Sequence, residues 1–252
     1  MDSFGLTGRR ALVTGGAGAL GSVIVRSLVT AGADVAILDL DAGRAGALAD
    51  ELDGNGQRVR PVWADLTDHD ATREALTPAL DGWGGIDILV NAAGGGTVMP
   101  FAEMDAATWR TQMARNLDTV FNATRAVLPG MLERRDGRIV NIASVAAVAG
   151  GRLVRGATAY AAAKAGVVGL TKALAIEVAE QGVTVNALAP GAQATPGRDN
   201  DTPERRDALL AQIPTRLLGE PQHLADVVLF LASPSAVNIT GVVLPLDGGH
   251  SI

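Results

Sequence analysis

The chain has no cysteine, which excludes both disulfide bonds and thiolate chemistry. The absence carries no message about compartment, because a cysteine-free protein folds in either redox environment. Histidine is nearly as scarce: His69, His223 and His250 are scattered through 252 residues without the spacing of a metal-ligand set, so no metal is expected. Aromatic residues make up 3% of the chain, and Tyr160 is the only tyrosine. Lysine and arginine number 21 against 27 acidic residues, so no cationic face is offered to phosphate backbones and no nucleic-acid partner is expected. Long apolar runs are also missing. The opening stretch MDSFGLTGRRALVTGG contains nothing of signal-peptide length and no later segment approaches a membrane span, so the expectation is a cytoplasmic protein without a membrane partner.

What the chain does have is 48% hydrophobic residues, 19% charged residues and 31 glycines, a composition suited to one α/β domain over residues 1–252. Short runs rich in Val, Ile and Leu (ALVTG, ADVAILD, RVRPVWAD, IDILVNAAG, GRIVNIAS, VTVNALAP, VVLPLDGG) alternate with longer helical patterns. Seven strands separated mostly by helices predict a parallel sheet covered on both faces, the doubly wound architecture. The polar stretch from Thr195 to Pro203 reads as an excursion from that domain, inside a substrate loop over roughly residues 191–215.

The first strand runs directly into TGGAGALG and then a helical pattern. Gly16, Gly18 and Gly21 match G-x-G-x-x-G, and a second register, T-G-x-x-x-G-x-G, starts at Thr14 and Gly15 with Ala19 at its middle glycine and Leu20 before the last. In either register small residues let the backbone approach a pyrophosphate resting on a helix N-terminus, the Rossmann-like arrangement. Asp39 closes the second strand. A carboxylate there accepts hydrogen bonds from both ribose hydroxyls of an adenosine and repels a 2′-phosphate. No Arg or Lys lies between Gly15 and Gly21, and Leu40 follows Asp39, so nothing basic is expected at that place and NAD is expected over NADP.

Tyr160 and Lys164 stand four residues apart at the start of AYAAAKAGVVGLTKALAIEVA, which reads as a helix. At that spacing both project from one face, so the ammonium is expected to favour the ionised phenol and lower its pKa toward the working range of an acid–base catalyst. Taken alone, the pair is an ordinary product of amphipathic helices.

With the glycine loop, Asp39 and this pair in place, the chain closely resembles the short-chain dehydrogenase/reductase family from Thr14 to Gly249. NAAG at Asn91–Gly94, Asn116 in ARNLDTVF, Ser144 in NIASVAA, Pro190–Gly191 in NALAPG and the closing ITG…LDGG occur in the family's order. The resemblance implies that Ser144, Tyr160, Lys164 and Asn116 act together on the substrate oxygen. Ser144 stabilises developing charge, Tyr160 exchanges the proton, Lys164 holds the nicotinamide ribose, and Asn116 positions a water leading to solvent. It further implies that Asp65 and Leu66 meet the adenine, that Asn91, Ala92 and Gly94 pass beside the adenosine ribose, and that Pro190, Gly191, Gln193 and Thr195 carry the nicotinamide end. Asn91 and Gly94 are equally open to a purely architectural role.

Three departures stand out. Ala19 adds a methyl beside the pyrophosphate, Gln193 occupies a usually apolar position, and the segment from Ser144 to Tyr160 is longer than the family norm. Gly150, Gly151 and Gly156 are expected to make that segment mobile, and Arg152, Arg155 and Arg198 are candidates for an anionic substrate group. The resemblance implies an oxidoreductase interconverting a secondary alcohol and a ketone, NAD-dependent by the Asp39 reading, and the mostly small or apolar residues after Gly94, after Ser144 and between Gly191 and Pro203 suit a bulky or cyclic alcohol. The alternative is a 3-oxoacyl-thioester reductase. A homotetramer is implied, formed by the helices near Met104–Arg134 and Thr158–Gln181 and by the last helix and strand.

Overall fold

Val, Ile and Leu in unbroken runs suit strands whose two faces are both covered. The computed structural model describes residues 4–150 and 155–252, apart from the side chains at 79–81. Seven such runs form β1 (Arg10–Thr14), β2 (Asp34–Asp39), β3 (Val59–Trp63), β4 (Ile88–Asn91), β5 (Gly137–Ile142), β6 (Val183–Pro190) and β7 (Val243–Leu246). They pair in the order β3-β2-β1-β4-β5-β6-β7, and every neighbouring pair is parallel. Successive residues serve opposite layers. Val13, Ile37 and Val90 pack with Ile24, Val25 and Leu28 of α1 (Gly21–Thr30) and Leu224 and Val228 of α9 (Pro221–Ala232). Leu12, Leu38, Leu89 and Ile139 pack on the other side with Val127 and Met131 of α5 (Thr119–Arg134) and with Ala175 and Val178 of α7 (Thr158–Val178).

The remaining helices are α2 (Ala42–Leu52), α3 (His69–Trp83), α4 (Ala106–Met113), α6 (Ala146–Ala149) and α8 (Pro203–Gln212). The helical pattern around Met104–Arg134 is broken at a point that no local signal marks: between α4 and α5 five residues, Ala114–Asp118, take a π-helical turn with Asn116 inside it. The Thr195–Pro203 excursion is a single 3-10 turn, Pro196–Arg198, followed at once by α8, whose first turn is capped by the Thr202 hydroxyl accepting from the Arg205 N–H.

The sheet's register decides what meets at its carboxyl edge. Thr14 stands beside Leu38 and Asn91, and Asn91 beside Asn141. The strand order reverses around β1, which opens a crevice beyond the β1 and β4 ends, the usual ligand position in a doubly wound sheet. A polar ladder stiffens this edge. Asn91 Nδ2 donates to Asn141 Oδ1 at 2.8 Å and to Thr124 Oγ1 at 3.2 Å, and Asn141 Nδ2 donates to Thr171 Oγ1 at 2.9 Å, tying α5, β4, β5 and α7 together.

Candidate active site

The loop between β1 and α1 is shaped by close contacts that only glycine allows. A Cβ on Gly21 would lie 2.1 Å from the Gly15 carbonyl oxygen, and one on Gly15, itself at φ +62°, would lie 2.8 Å from Ala93 Cα. Ala19 is exposed, so its methyl displaces no protein atom. Leu20 precedes α1 without giving it a side-chain cap, and the first turn has no acid, so the uncapped N–H end faces the crevice. That arrangement fits a pyrophosphate.

Asp39 sits at the tip of β2, where its carboxylate accepts from the Ala17 N–H at 2.9 Å and the Asp41 N–H at 3.0 Å. With Leu40, Asp65, Leu66, Gly94 and Gly15 it lines a cleft of about 660 Å³. The Asp65 carboxyl is held below the usual range by the Thr67 hydroxyl and N–H. One expectation needs correction here. A basic group does reach the loop: the Arg44 guanidinium, from the first turn of α2, donates to the Ala17 carbonyl. It lay outside the loop motif and beyond Leu40, so only the turn of α2 brings it back.

Ser144 follows β5, while Tyr160 and Lys164 lie on the first turns of α7. Ser144 and Tyr160 line one cavity, with the Ser144 hydroxyl near enough to the phenol to favour its ionised form. Lys164 is buried, its Nζ donating to the Ile142 carbonyl at 2.7 Å and lying 5.9 Å from the Tyr160 ring centroid. The expected depression of the phenol is not observed. Burial pushes the Tyr160 pKa up, with the Ser144 hydroxyl pulling the other way, and burial also brings the Lys164 ammonium down to about 8. The shared helical face is real, but desolvation of both groups outweighs the attraction between them.

Asn116 is fully buried, and its amide is spent on the chain: Oδ1 accepts from the Gly95 N–H at 2.9 Å, and Nδ2 donates to the carbonyls of Gly95 and Gln112, each at 3.0 Å. Gly94, at φ +145°, would place a Cβ 2.6 Å from Asn116 Oδ1 and 3.4 Å from Lys164 Nζ. The Asn116 side chain therefore clamps the Gly94–Gly95 segment beside Lys164. Asn91 is likewise turned into the polar ladder; of its segment, Ala93 and Gly94 line the cleft, and Ala92 leads into it with its N–H on Thr14 Oγ1 at 3.1 Å.

Across Gly96 from that cleft lies a cavity of about 220 Å³, lined by Ser144, Tyr160, Pro190, Gly191, Arg198 and His250 together with small apolar residues. It is compact for the bulky alcohol expected. Gln193 turns away from it, its amide packed under Gly219 in a bridge between the two segments, and Thr195 opens the following 3-10 turn. Arg155 is exposed and outside this lining, whereas Arg152 and Gly151 fall outside the described residues. Gly156 is tied to the Met99 backbone: at φ +82°, its Cβ position lies 3.0 Å from the Met99 carbonyl oxygen, and its own carbonyl accepts from the Met99 N–H at 3.0 Å.

Residues 9–206 match the family model described as short chain dehydrogenase. The chain belongs to the short-chain dehydrogenase family. The chain is 40% identical over 248 residues to the (2S)-[(R)-hydroxy(phenyl)methyl]succinyl-CoA dehydrogenase subunit BbsD of Thauera aromatica, covering 98% of each chain. It is 41% identical to a 3-oxoacyl-[acyl-carrier-protein] reductase of Vibrio cholerae, over 97% of this chain and 98% of the relative. A solved structure of a putative gluconate dehydrogenase from Agrobacterium tumefaciens superposes with a TM-score of 0.89 at 33% identity, over 97% of this chain and 96% of that one. A short-chain dehydrogenase of this kind is an oxidoreductase acting on CH–OH and keto groups, as expected. Sequence reasoning passed over Arg44 and His250. The available signals were weak: an arginine three residues past an N-cap aspartate, and a histidine directly after the closing Gly-Gly.

Proposed function

We propose that this short-chain dehydrogenase interconverts a secondary alcohol and a ketone with NAD(H) as its preferred cofactor. The observation that carries this reading is the placing of Ser144 and Tyr160 on one cavity, with buried Lys164 beside Gly94, which lines the cleft that also holds Asp39. A bound nicotinamide cofactor would supply or accept the hydride. The chain's own residues supply the rest. Ser144 donates to the substrate oxygen, and Tyr160, neutral because burial raises its pKa, gives that oxygen a proton during reduction and takes one back during oxidation. Lys164, beside Gly94, would meet the ribose of a bound cofactor, and Asn116 holds the Gly94–Gly95 segment in place. Gly15, Gly18, Ala19, Leu20 and Gly21 would cradle its pyrophosphate, Asp65 and Leu66 would border the adenine, and Pro190, Gly191, Gln193 and Thr195 would carry the nicotinamide end.

A second reading, reduction of a 3-oxoacyl thioester, draws support from the names of two relatives at 40% and 41% identity. Asp39 speaks against NADPH in that role, and Arg44 speaks for it. A panel of alcohols, ketones and 3-oxoacyl thioesters with NAD(H) and NADP(H), read by absorbance of the reduced nicotinamide, separates the two. Turnover of the thioester alone, with NADPH, would overturn the first reading.

Among the described residues no helix is long and apolar enough to cross a membrane. The cytoplasm remains the proposed location. We also propose a homotetramer, supported by the exposure of large apolar side chains on two of the expected helices, Phe121 of α5 at 51% and Ile176 of α7 at 83%. Sedimentation showing a monomer at micromolar concentration would overturn it.

A further inference from the structure

We propose that His250 selects the substrate, its imidazole hydrogen-bonding a second oxygen function on a molecule whose reacting oxygen is held by Ser144 and Tyr160. The inference rests on the alcohol–ketone reading and names the substrate class: ketones and secondary alcohols that also carry a carbonyl or carboxylate acceptor.

His250 lines the same cavity as Ser144 and Tyr160 and is 5% exposed. Neither ring nitrogen has a hydrogen-bond partner among the described residues. A buried imidazole always carries at least one N–H, and leaving it unsatisfied costs stability unless a ligand answers it. The ring's position is fixed by the backbone beneath it. Gly248 and Gly249 take φ of +63° and +86°, and the Asp247 carboxylate accepts from the Gly249 N–H at 2.9 Å and the Ser251 N–H at 2.7 Å. Pro214 backs Gly249, and Ile213 and Thr215 back Gly248, so the turn that carries the ring is packed on both glycines. The rest of the lining leaves His250 this task. Arg198 is engaged by Asp201 at 3.2 Å, the Thr97 hydroxyl already accepts from Gln112 Nε2 at 3.0 Å, and Val98, Val145, Ala157 and Leu209 bring no polar side chain. In so small a cavity, about 220 Å³, a substrate oxygen away from the reacting carbon meets in His250 a side chain with neither ring nitrogen partnered among the described residues.

The test compares ethyl 3-oxobutanoate, the 3-oxobutanoate anion and 2-pentanone. In wild type, kcat/KM for the two-oxygen compounds should exceed that for the simple ketone. His250→Leu should reduce that preference by about tenfold, the worth of one well-formed hydrogen bond, and His250→Gln should recover most of it. A preference that His250→Leu leaves intact overturns the inference. A second readout is independent of turnover: with three histidines in the chain, the His250 ring resonances are identifiable by their loss in His250→Gln. In the NADH complex they should shift with ethyl 3-oxobutanoate and stay in place with 2-pentanone; a shift with the anion alone identifies a carboxylate as the second group. A ring that moves while no compound is reduced with either cofactor removes the activity reading and keeps His250 as a ligand contact. Reduction of all three with an unmoved ring removes His250.

Discussion

Lys164 Nζ donates to the Ile142 carbonyl at 2.7 Å from a position only 4% exposed, so α7 is pinned to the end of β5 by a buried ammonium that has no carboxylate partner among the described residues. Burial brings its pKa from 10.5 down to about 8. A lysine whose folded pKa lies below its unfolded value costs stability in full below the folded pKa, and the cost fades as pH rises toward the unfolded one. From that shift the cost is on the order of 3 kcal/mol. Lys164→Met should therefore raise stability to urea by a few kcal/mol at pH 7, and the advantage should shrink between pH 8 and 10. A constant difference across that window would show that Lys164 is already neutral at pH 7.

The raised Tyr160 pKa sets a direction for catalysis. At neutral pH the phenol holds the proton that reduction consumes, whereas oxidation needs it gone. Reductive kcat/KM should be level through neutrality and oxidative kcat/KM should climb into the alkaline range. Tyr160→Phe should lower both by about 10²–10⁴-fold while leaving cofactor affinity close to wild type. Normal turnover in that variant would remove Tyr160 from the proton step.

The parts legible in the sequence are those written in local pattern. Strand runs such as ADVAILD and GRIVNIAS need only their own apolar residues to become β2 and β5, and Tyr160 and Lys164 need only one helix to share a face. What escaped depends on distant partners. Arg44 becomes relevant through a turn that folds it onto Ala17, Gly156 through its backbone bond to Met99, and His250 because the turn after Asp247 brings it to Ser144's cavity. The Tyr160 pKa escaped for another reason: spacing reports that a charge is near, and burial reports how much solvent both groups have lost.

Asp39 and Arg44 oppose each other over one cofactor choice. Asp39→Ala should cost NAD ribose hydrogen bonds worth roughly 1.5–3 kcal/mol each and shift preference toward NADP by more than tenfold. The gain should depend on Arg44, which donates to Ala17 at the same loop. Asp39→Ala combined with Arg44→Ala should lose most of the NADP affinity that the single change creates. Equal NADP affinity in the single and double variants, measured by fluorescence titration of NADPH, would show that Arg44 serves the loop alone.

Gly156 offers the last prediction, because it joins the segment after Ser144 to the wall of the substrate cavity. At φ +82°, with the Met99 carbonyl oxygen 3.0 Å from its Cβ position, an alanine is strained twice, by conformation and by contact. Strain of this kind costs about 1–3 kcal/mol. It is relieved most readily by pushing Met99 away, which carries Thr97 and Val98 with it and widens the cavity they line. Gly156→Ala should lower the melting temperature and raise KM for the carbonyl substrate several-fold, with KM for NADH nearly unchanged, since Asp39 and the glycine loop lie in the other cleft. Substrate KM matching wild type at a lowered melting temperature would mean that the strain is absorbed elsewhere and that this contact does not shape the pocket.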